Sequence, residues 1–222
     1  TRRPAPPPIR ERRQQEISEN RRMKRPGISI IVPVLDEAGG IVQALERLQE
    51  FRARGAEIIV VDGGSGDATV RLAQPLADCV TAAARGRGAQ MNAGAGKASG
   101  GILLFLHADT QLPPSAPDLI AAAIAGGARW GRFDVRIDGS SGGLALVAFM
   151  MNWRSRLTGI ATGDQAIFVT REAFQACGGF PAIPLMEDIV FSDSLRRNAR
   201  PACLQEKVTT SGRRWEKHGL LR

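Results

Sequence analysis

The run Leu103-Leu104-Phe105-Leu106-His107-Ala108-Asp109-Thr110 constrains this chain more than any other stretch. Its apolar residues are consecutive, with no polar alternation, and they stop abruptly at a histidine and a carboxylate. A strand covered by helices on both faces reads this way, and such strands belong to parallel sheets. Gly100-Gly101 and Pro113-Pro114 supply turn signals on either side. The polar pair therefore falls at the carboxyl end of a buried strand, the edge where open α/β sheets bind ligands. Taken alone, the same residues also describe a core strand followed by an ordinary polar loop, so the other strand ends have to decide.

Those ends follow the same pattern. Ile28-Ser29-Ile30-Ile31-Val32-Pro33-Val34 is a β-branched run that leads into Asp36-Glu37 and Gly39-Gly40. Ile41, Leu45 and Leu48 then recur at helical spacing, which predicts a helix over about residues 40–53. Glu57-Ile58-Ile59-Val60-Val61 predicts a second strand, ending at Asp62-Gly63-Gly64-Ser65-Gly66-Asp67, with the next helix capped by Ser65 or Asp67. Cys79-Val80-Thr81 reads as a short third strand, 86–97 as a helix of small residues and 102–106 as the fourth strand. Strand and helix alternating at this spacing make right-handed βαβ units and a parallel sheet. The second half is less regular. Helices are expected over 115–125, 143–157, 171–177 and 187–198, and strands over 131–137, 165–170 and 207–210. Within 131–137, Phe133, Val135 and Ile137 alternate with Arg132, Asp134 and Arg136, predicting one apolar and one polar face. Trp130 and Trp153 are expected to pack, although an aromatic ring can also stack on a sugar.

At 222 residues the chain can bury a sizeable core without disulfide staples. Its net charge of +8 is uneven: residues 1–26 hold nine Arg or Lys against three Glu, leaving the remainder close to neutral. That segment has almost no apolar residues and is expected to be a disordered or loosely helical basic tail, with 27–222 as a single folded domain. Such a tail could meet anionic lipid or nucleic acid, or remain a solvated extension. A near-neutral body with no tyrosine and few aromatics argues against nucleic acid as the partner. Cys79, Cys177 and Cys203 are odd in number, far apart and free of CxxC spacing, which argues against a disulfide framework or zinc site and suits a reducing compartment. The longest apolar run, Leu144 to Trp153, falls short of the ~18 residues of a spanning helix. No apolar stretch follows the basic N-terminus as a secretory signal requires. The expected location is the cytoplasm, with the inner face of the membrane as a surface that the tail, Leu144–Met151 and Trp215–Arg222 could contact together.

Three strand ends carry acids: Asp36-Glu37, Asp62 and Asp109. In a parallel sheet they share one edge, and carboxylates so close repel unless a positive group sits among them. A divalent cation holding a polyphosphate resolves this, because Mg²⁺ and Mn²⁺ favour carboxylates together with phosphate oxygens. The alternative is that some of these acids cap helices. The P-loop GxxxxGK[ST] is absent, and LDEAGG follows the first strand where a dinucleotide fold would have GxGxxG. Arg85-Gly86-Arg87-Gly88 offers two guanidinium groups for phosphate and two glycines that admit a ligand near the backbone, or simply a basic turn ahead of a helix.

PVLDE at 33–37, VVDGGSGDAT at 60–69, HAD at 107–109 and Glu187-Asp188 occur in the order seen in family 2 glycosyltransferases of the GT-A fold, which the chain resembles. With GRGAQMNAGA, GRFDV, GDQAIFV and PLMEDI it looks more closely like a bacterial subgroup of selenodomain-associated glycosyltransferase-like proteins. The resemblance covers about residues 27–215. It implies an α/β fold of the GT-A, nucleotide-diphospho-sugar transferase type, with a mainly parallel central sheet flanked by helices. It also implies an inverting transferase that uses Mn²⁺ or Mg²⁺ and a nucleotide-sugar donor, with UDP favoured over GDP by family habit. Pro33 and Glu37 would line the nucleoside pocket and Asp62 would bond the base. Arg85, Arg87 and Gly88 would lie near the diphosphate. Asp109 would bind the metal, Asp188 would act as general base, and Glu187 would steady it or the acceptor. Two departures stand out: His107 replaces the first acid of the DxD motif, and Ser211 stands where the QxxRW motif has glutamine. His107 could ligate the metal or fill space, and Arg214 and Trp215 could still close over the diphosphate.

Asp164 and Gln165 are candidates for sugar or acceptor hydroxyls, although Gly163-Asp164 also suits a turn. Two other readings compete. A nucleotidyltransferase would carry a Gly-rich loop after its first strand, which LDEAGG does not match. A non-catalytic, membrane-peripheral nucleotide-sugar binding protein would need no base. The acceptor, whether glycan, lipid or small molecule, is not written in the motifs.

Overall fold

The computed structural model describes residues 27–139 and 143–212. The expected basic tail at 1–26 and the residues Arg214 and Trp215 lie outside them. Among the described residues eight strands form one sheet: β1 (Ile28–Val34), β2 (Glu57–Asp62), β3 (Cys79–Ala82), β4 (Ile102–Phe105), β5 (Thr110–Gln111), β6 (Trp130–Asp138), β7 (Phe168–Thr170) and β8 (Ala202–Ser211). Their spatial order is β3-β2-β1-β4-β7-β6-β8-β5. The first four are mutually parallel. β7 then runs antiparallel to β4 and to β6, β8 parallel to β6, and β5 antiparallel to β8.

The helices are α1 (Ile41–Glu46), α2 (Gln49–Ala53), α3 (Thr69–Ala73), α4 (Arg87–Lys97), α5 (Ala116–Ala125), α6 (Leu144–Thr158), α7 (Arg171–Ala176) and α8 (Glu187–Arg196). They explain the unbroken apolar runs. Along β1, β2 and β4, Ile30, Val32, Ile58, Val60, Ile102 and Leu104 face one apolar layer, joined by Ile41, Leu45, Ile120 and Leu144. The alternate residues Ile31, Ile59, Val61, Leu103 and Phe105 face a second layer with Met91, Trp130 and Phe191. With helices on both faces, strand alternation exchanges one interior for another and not interior for water.

Several boundaries differ from the sequence reading. The helix expected over 40–53 breaks into α1 and α2 at Arg47-Leu48. α3 begins at Thr69, and Ala68 in the cap position ahead of it has no group to cap it; Asp67 Oδ1 instead accepts the N–H of Thr69 (2.9 Å), and Ser65 serves the neighbouring loop. The strand expected over 165–170 is only Phe168–Thr170, because Gly163–Gln165 coil into a 3₁₀ turn. The last strand extends back to Ala202 beyond the expected 207–210, since pairing with β6 extends it. On β6 the predicted polar face is buried at Arg132 (0% exposed) and Asp134 (8%). Arg132 bonds Asp134 and Ser155 Oγ, and Arg156 reaches Asp134 from α6 (2.6 Å), so the charges sit inside as a hydrogen-bonded group. Trp130 packs as expected and donates to the Ala199 carbonyl (2.7 Å), whereas Trp153 is 53% exposed.

Candidate active site

β1 sits between β2 and β4, and its chain connection leads to β2 on one side while β4 occupies the other. This is the point where an α/β sheet opens a crevice beyond its strand ends. The Ile31 carbonyl accepts the Leu106 N–H (3.0 Å), so alternate residues Ile31 and Pro33 turn toward β4. Pro33 lies past the last β1–β4 pair, and its missing N–H therefore costs no ladder bond. The strands part there, and a pocket of about 110 Å³ opens between them. Pro33 on β1, Glu37 in the loop after it, His107 and Asp109 in the loop after β4, Arg87 at the first turn of α4, and Asp164, Thr210 and Ser211 line it.

The pocket draws on five chain regions, and its charges are unequal: Glu37, Asp109 and Asp164 face one guanidinium, Arg87, and the imidazole of His107. Asp109 is exposed and makes no hydrogen bond or ion pair among the described residues. Asp164 Oδ1 lies 3.3 Å from His107 Nδ1 and orients the ring. Arg87, the first residue of α4, brings a guanidinium to the pocket, a group that favours an anion. Among the described residues no three or more His, Cys, Asp or Glu side chains form a ready metal cage. The donors present, one exposed carboxylate with an imidazole beside it, suit a cation that takes its remaining ligands from a bound phosphate.

Asp188 stands on the far side of Gly163. Its Oδ2 accepts the Gly163 N–H (2.6 Å) and its Oδ1 the Ile189 N–H (2.8 Å). A Cβ on Gly163 would come within 2.4 Å of His107 Nε2 and 3.6 Å of Asp188 Oδ2, so this glycine lets the two side chains share one corner. α8 is held behind them by Phe191, whose ring stacks on Phe180 at 3.9 Å. Glu187 is buried on the same turn and makes no hydrogen bond among the described residues.

Other expected residues are placed differently. Asp62 does not line the pocket: its carboxylate accepts N–H groups of Gly64 and Ser65 (both 3.0 Å) and the Ser65 hydroxyl, folding its own loop. Gly88 is buried and does not line the pocket, and the space a Cβ would occupy there is 2.8 Å from the Pro181 carbonyl oxygen. Arg85 is exposed outside the pocket wall. Gln165 is fully buried, its Oε1 accepting the Thr162 N–H (3.2 Å) and its Nε2 donating to Asn152 Oδ1 (3.4 Å), so it shapes the turn that carries Asp164.

Sequence reasoning missed the residues that hold this edge in shape. Gln90 Nε2 donates to both the Val34 and Val61 carbonyls (2.8 Å each), tying the ends of β1 and β2. Asn92 pairs twice with Phe180, through its N–H (2.9 Å) and carbonyl (2.8 Å). The loops after β1 and β2 are stitched directly: Ser65 Oγ accepts the Asp36 N–H, Thr69 Oγ1 the Glu37 N–H, Asp67 Oδ2 the Ala38 N–H, and Asp36 Oδ1 the Gly66 N–H. The Thr69 hydroxyl and amide hold the Asp67 carboxyl below its ordinary range. The signal was present: an amide among the small residues of GRGAQMNAG has no reason to face a core unless it serves buried backbone.

Solved structures with this architecture are glycosyltransferases of the GT-A class. Staphylococcus aureus TarS 1–349 in complex with UDP-GlcNAc superposes with a TM-score of 0.68 at 20% identity, over 83% of this chain and 58% of that one. Glucosyl-3-phosphoglycerate synthase from Mycobacterium tuberculosis, bound to Mg²⁺ and UDP, gives 0.65 at 20% identity, over 94% and 75%. Mannosyltransferase PcManGT from Pyrobaculum calidifontis, bound to GDP-Man and Mn²⁺, gives 0.64 at 19%, over 88% and 63%. Residues 29–170 match the glycosyl transferase family 2 model, and the chain belongs to that family. The uncharacterized glycosyltransferase Rv1514c of Mycobacterium tuberculosis is 35% identical over 107 residues, which take in 45% of this chain and 39% of that relative.

Proposed function

We propose that this protein transfers a sugar from a nucleoside-diphosphate sugar, UDP-linked by preference, to an acceptor hydroxyl with inversion at the anomeric carbon. One observation carries the reading: three carboxylates from separate loops share a small pocket with Arg87 and His107, at the switch point of the sheet. The pocket is far below the ~300 Å³ at which whole drug-sized ligands begin to fit, so it suits the diphosphate, with the nucleoside lying out along Pro33 and Glu37. Asp109 and His107 would hold Mn²⁺ or Mg²⁺, which supplies charge neutralisation to a departing diphosphate. Arg87 adds a fixed positive charge to the same leaving group, and Arg85 a second as it approaches. Asp188 takes the proton from the acceptor hydroxyl as that oxygen attacks, and the Gly163 N–H keeps its carboxylate aimed. Glu187 backs Asp188, and Asp164 orients His107.

UDP-sugar with MnCl₂ is expected to raise the melting temperature, by the equivalent of about 2.7 kcal/mol at a hundredfold excess over Kd. Asp109→Ala loses that shift. Asp188→Asn keeps the shift and loses transfer, and the product anomer made by the parent is inverted. A melting temperature indifferent to every nucleotide sugar defeats the proposal; turnover by Asp188→Asn removes Asp188 as the base.

A further inference from the structure

α6 is apolar on both of its sides. Leu144 and Ala148 pack into the layer beside β6, while Leu146, Phe149, Met150, Trp153 and Leu157 stand in solvent, each between 53% and 69% exposed. Steps of three and four residues put these five on a single stripe. A helix packed on one side normally presents charge to water on the other, and a contiguous row of large apolar side chains marks an interaction surface. Arg154 and Arg156 are exposed, and the helical spacing sets one at each border of the stripe. α6 contains no Asp or Glu. Arg156 also holds Asp134, and Arg154 extends into solvent.

We propose that this stripe docks the protein onto an anionic lipid surface. The five apolar side chains enter the headgroup boundary, and Arg154 reaches lipid phosphates at one border, while Arg156 at the other stays paired with Asp134. The nine Arg or Lys against three Glu in residues 1–26 add to the same attraction. A second copy of the chain fits less well. Five side chains on one helix fall short of the roughly 800 Å² per partner of a standard interface, and whichever borders met would set arginine against arginine. Among the described residues no helix is long and apolar enough to cross a membrane, so the contact lies in the interface. The inner side of α6 reaches the candidate active site: Asn152 Oδ1 accepts both the Val135 N–H (2.8 Å) and Gln165 Nε2 (3.4 Å). One side chain thus joins the lipid-facing helix to the turn that carries Asp164.

The test reads binding alone and is independent of the transfer reading. The full chain is sedimented with vesicles of phosphatidylcholine, and of equal parts phosphatidylcholine and phosphatidylglycerol. Binding to the mixed vesicles is expected, and replacing both Phe149→Ser and Trp153→Ser weakens it at least about tenfold. Arg154→Glu weakens it as well. Trp153 emission in the parent protein moves to shorter wavelength on vesicle addition, and Trp153→Phe loses that change, a readout that stands even if the double variant folds poorly. A parent that ignores anionic vesicles overturns the proposal, as does binding that survives the double substitution. A concentration-dependent dimer broken by the same substitutions overturns it too, and assigns the stripe to a second copy.

Discussion

Gln90 shows how one side chain sets the shape of the whole strand edge. It is buried, and its amide group is the only bridge from α4 to both strand-end carbonyls among the bonds described. Gln90→Leu keeps the volume but removes two hydrogen bonds from a buried place. The expected cost is about 1–3 kcal/mol, measured by urea unfolding. A variant as stable as the parent would show that Val34 and Val61 need no such tie. Glycines at this edge act differently from one another. Gly163 yields space to His107 and Asp188, whereas Gly88 yields space to the chain itself at Pro181. The first borders two candidate site side chains; the second packs against Pro181 inside a motif that reads as phosphate-binding.

At the scale of elements, the amino-terminal edge of the sheet has its own polar fastening. Glu57 at the start of β2 accepts from Ser29 Oγ on β1 and from the N–H (2.8 Å) and hydroxyl (3.0 Å) of Ser99 ahead of β4. Ser29 Oγ in turn accepts the Gly100 N–H (2.9 Å). Burial alone would push the Glu57 carboxyl up; the Ser29 and Ser99 hydrogen bonds outweigh it and hold the group below its ordinary value. A group depressed in the folded state stabilises fully above its unfolded pKa, about 4.3 for glutamate, and loses that contribution as pH falls through the folded value. Urea unfolding across a pH series should therefore show a loss of stability below about pH 4.3 that Glu57→Gln largely flattens. An unchanged acid slope in that variant would assign the loss to other carboxylates.

Across the whole molecule, the two apolar layers share their supporting strands. Ile30 and Ile31 are neighbours in β1 yet belong to different layers, as do Val60 and Val61 in β2. Neither layer can come apart without taking the sheet from the other. Far-UV circular dichroism, reporting both layers, and the fluorescence of Trp130, buried in the second, should follow one urea transition with a common midpoint. Two separated midpoints would mean that the layers unfold independently.

The alternation of apolar runs with small-residue and amphipathic segments was enough, from sequence, to define β1 to β4, their parallel order of use and the helices between them. Strand and helix periodicity are local, set by neighbours two to four residues away, and both layers of this sheet obey them. The carboxylates at strand ends were equally legible, because a run such as Leu103–Leu106 stops sharply at a polar residue. What sequence could not decide was which of those acids meet. Asp62 turns into its own loop through bonds to Gly64 and Ser65, while Asp109 and Glu37 share a pocket, and the loop that carries Glu37 is fixed by its N–H bond to Thr69 on the loop after β2. Arg132 and Asp134 looked like a solvent face and became an interior pair, because α6 folds back over β6. The run from Leu144 to Trp153 reads as apolar throughout, and only the packing of Leu144 and Ala148 shows that Leu146, Phe149 and Trp153 are left facing outward. Local patterning determined the elements; the order of the strands and the contacts between their loops decided which side chains face one another.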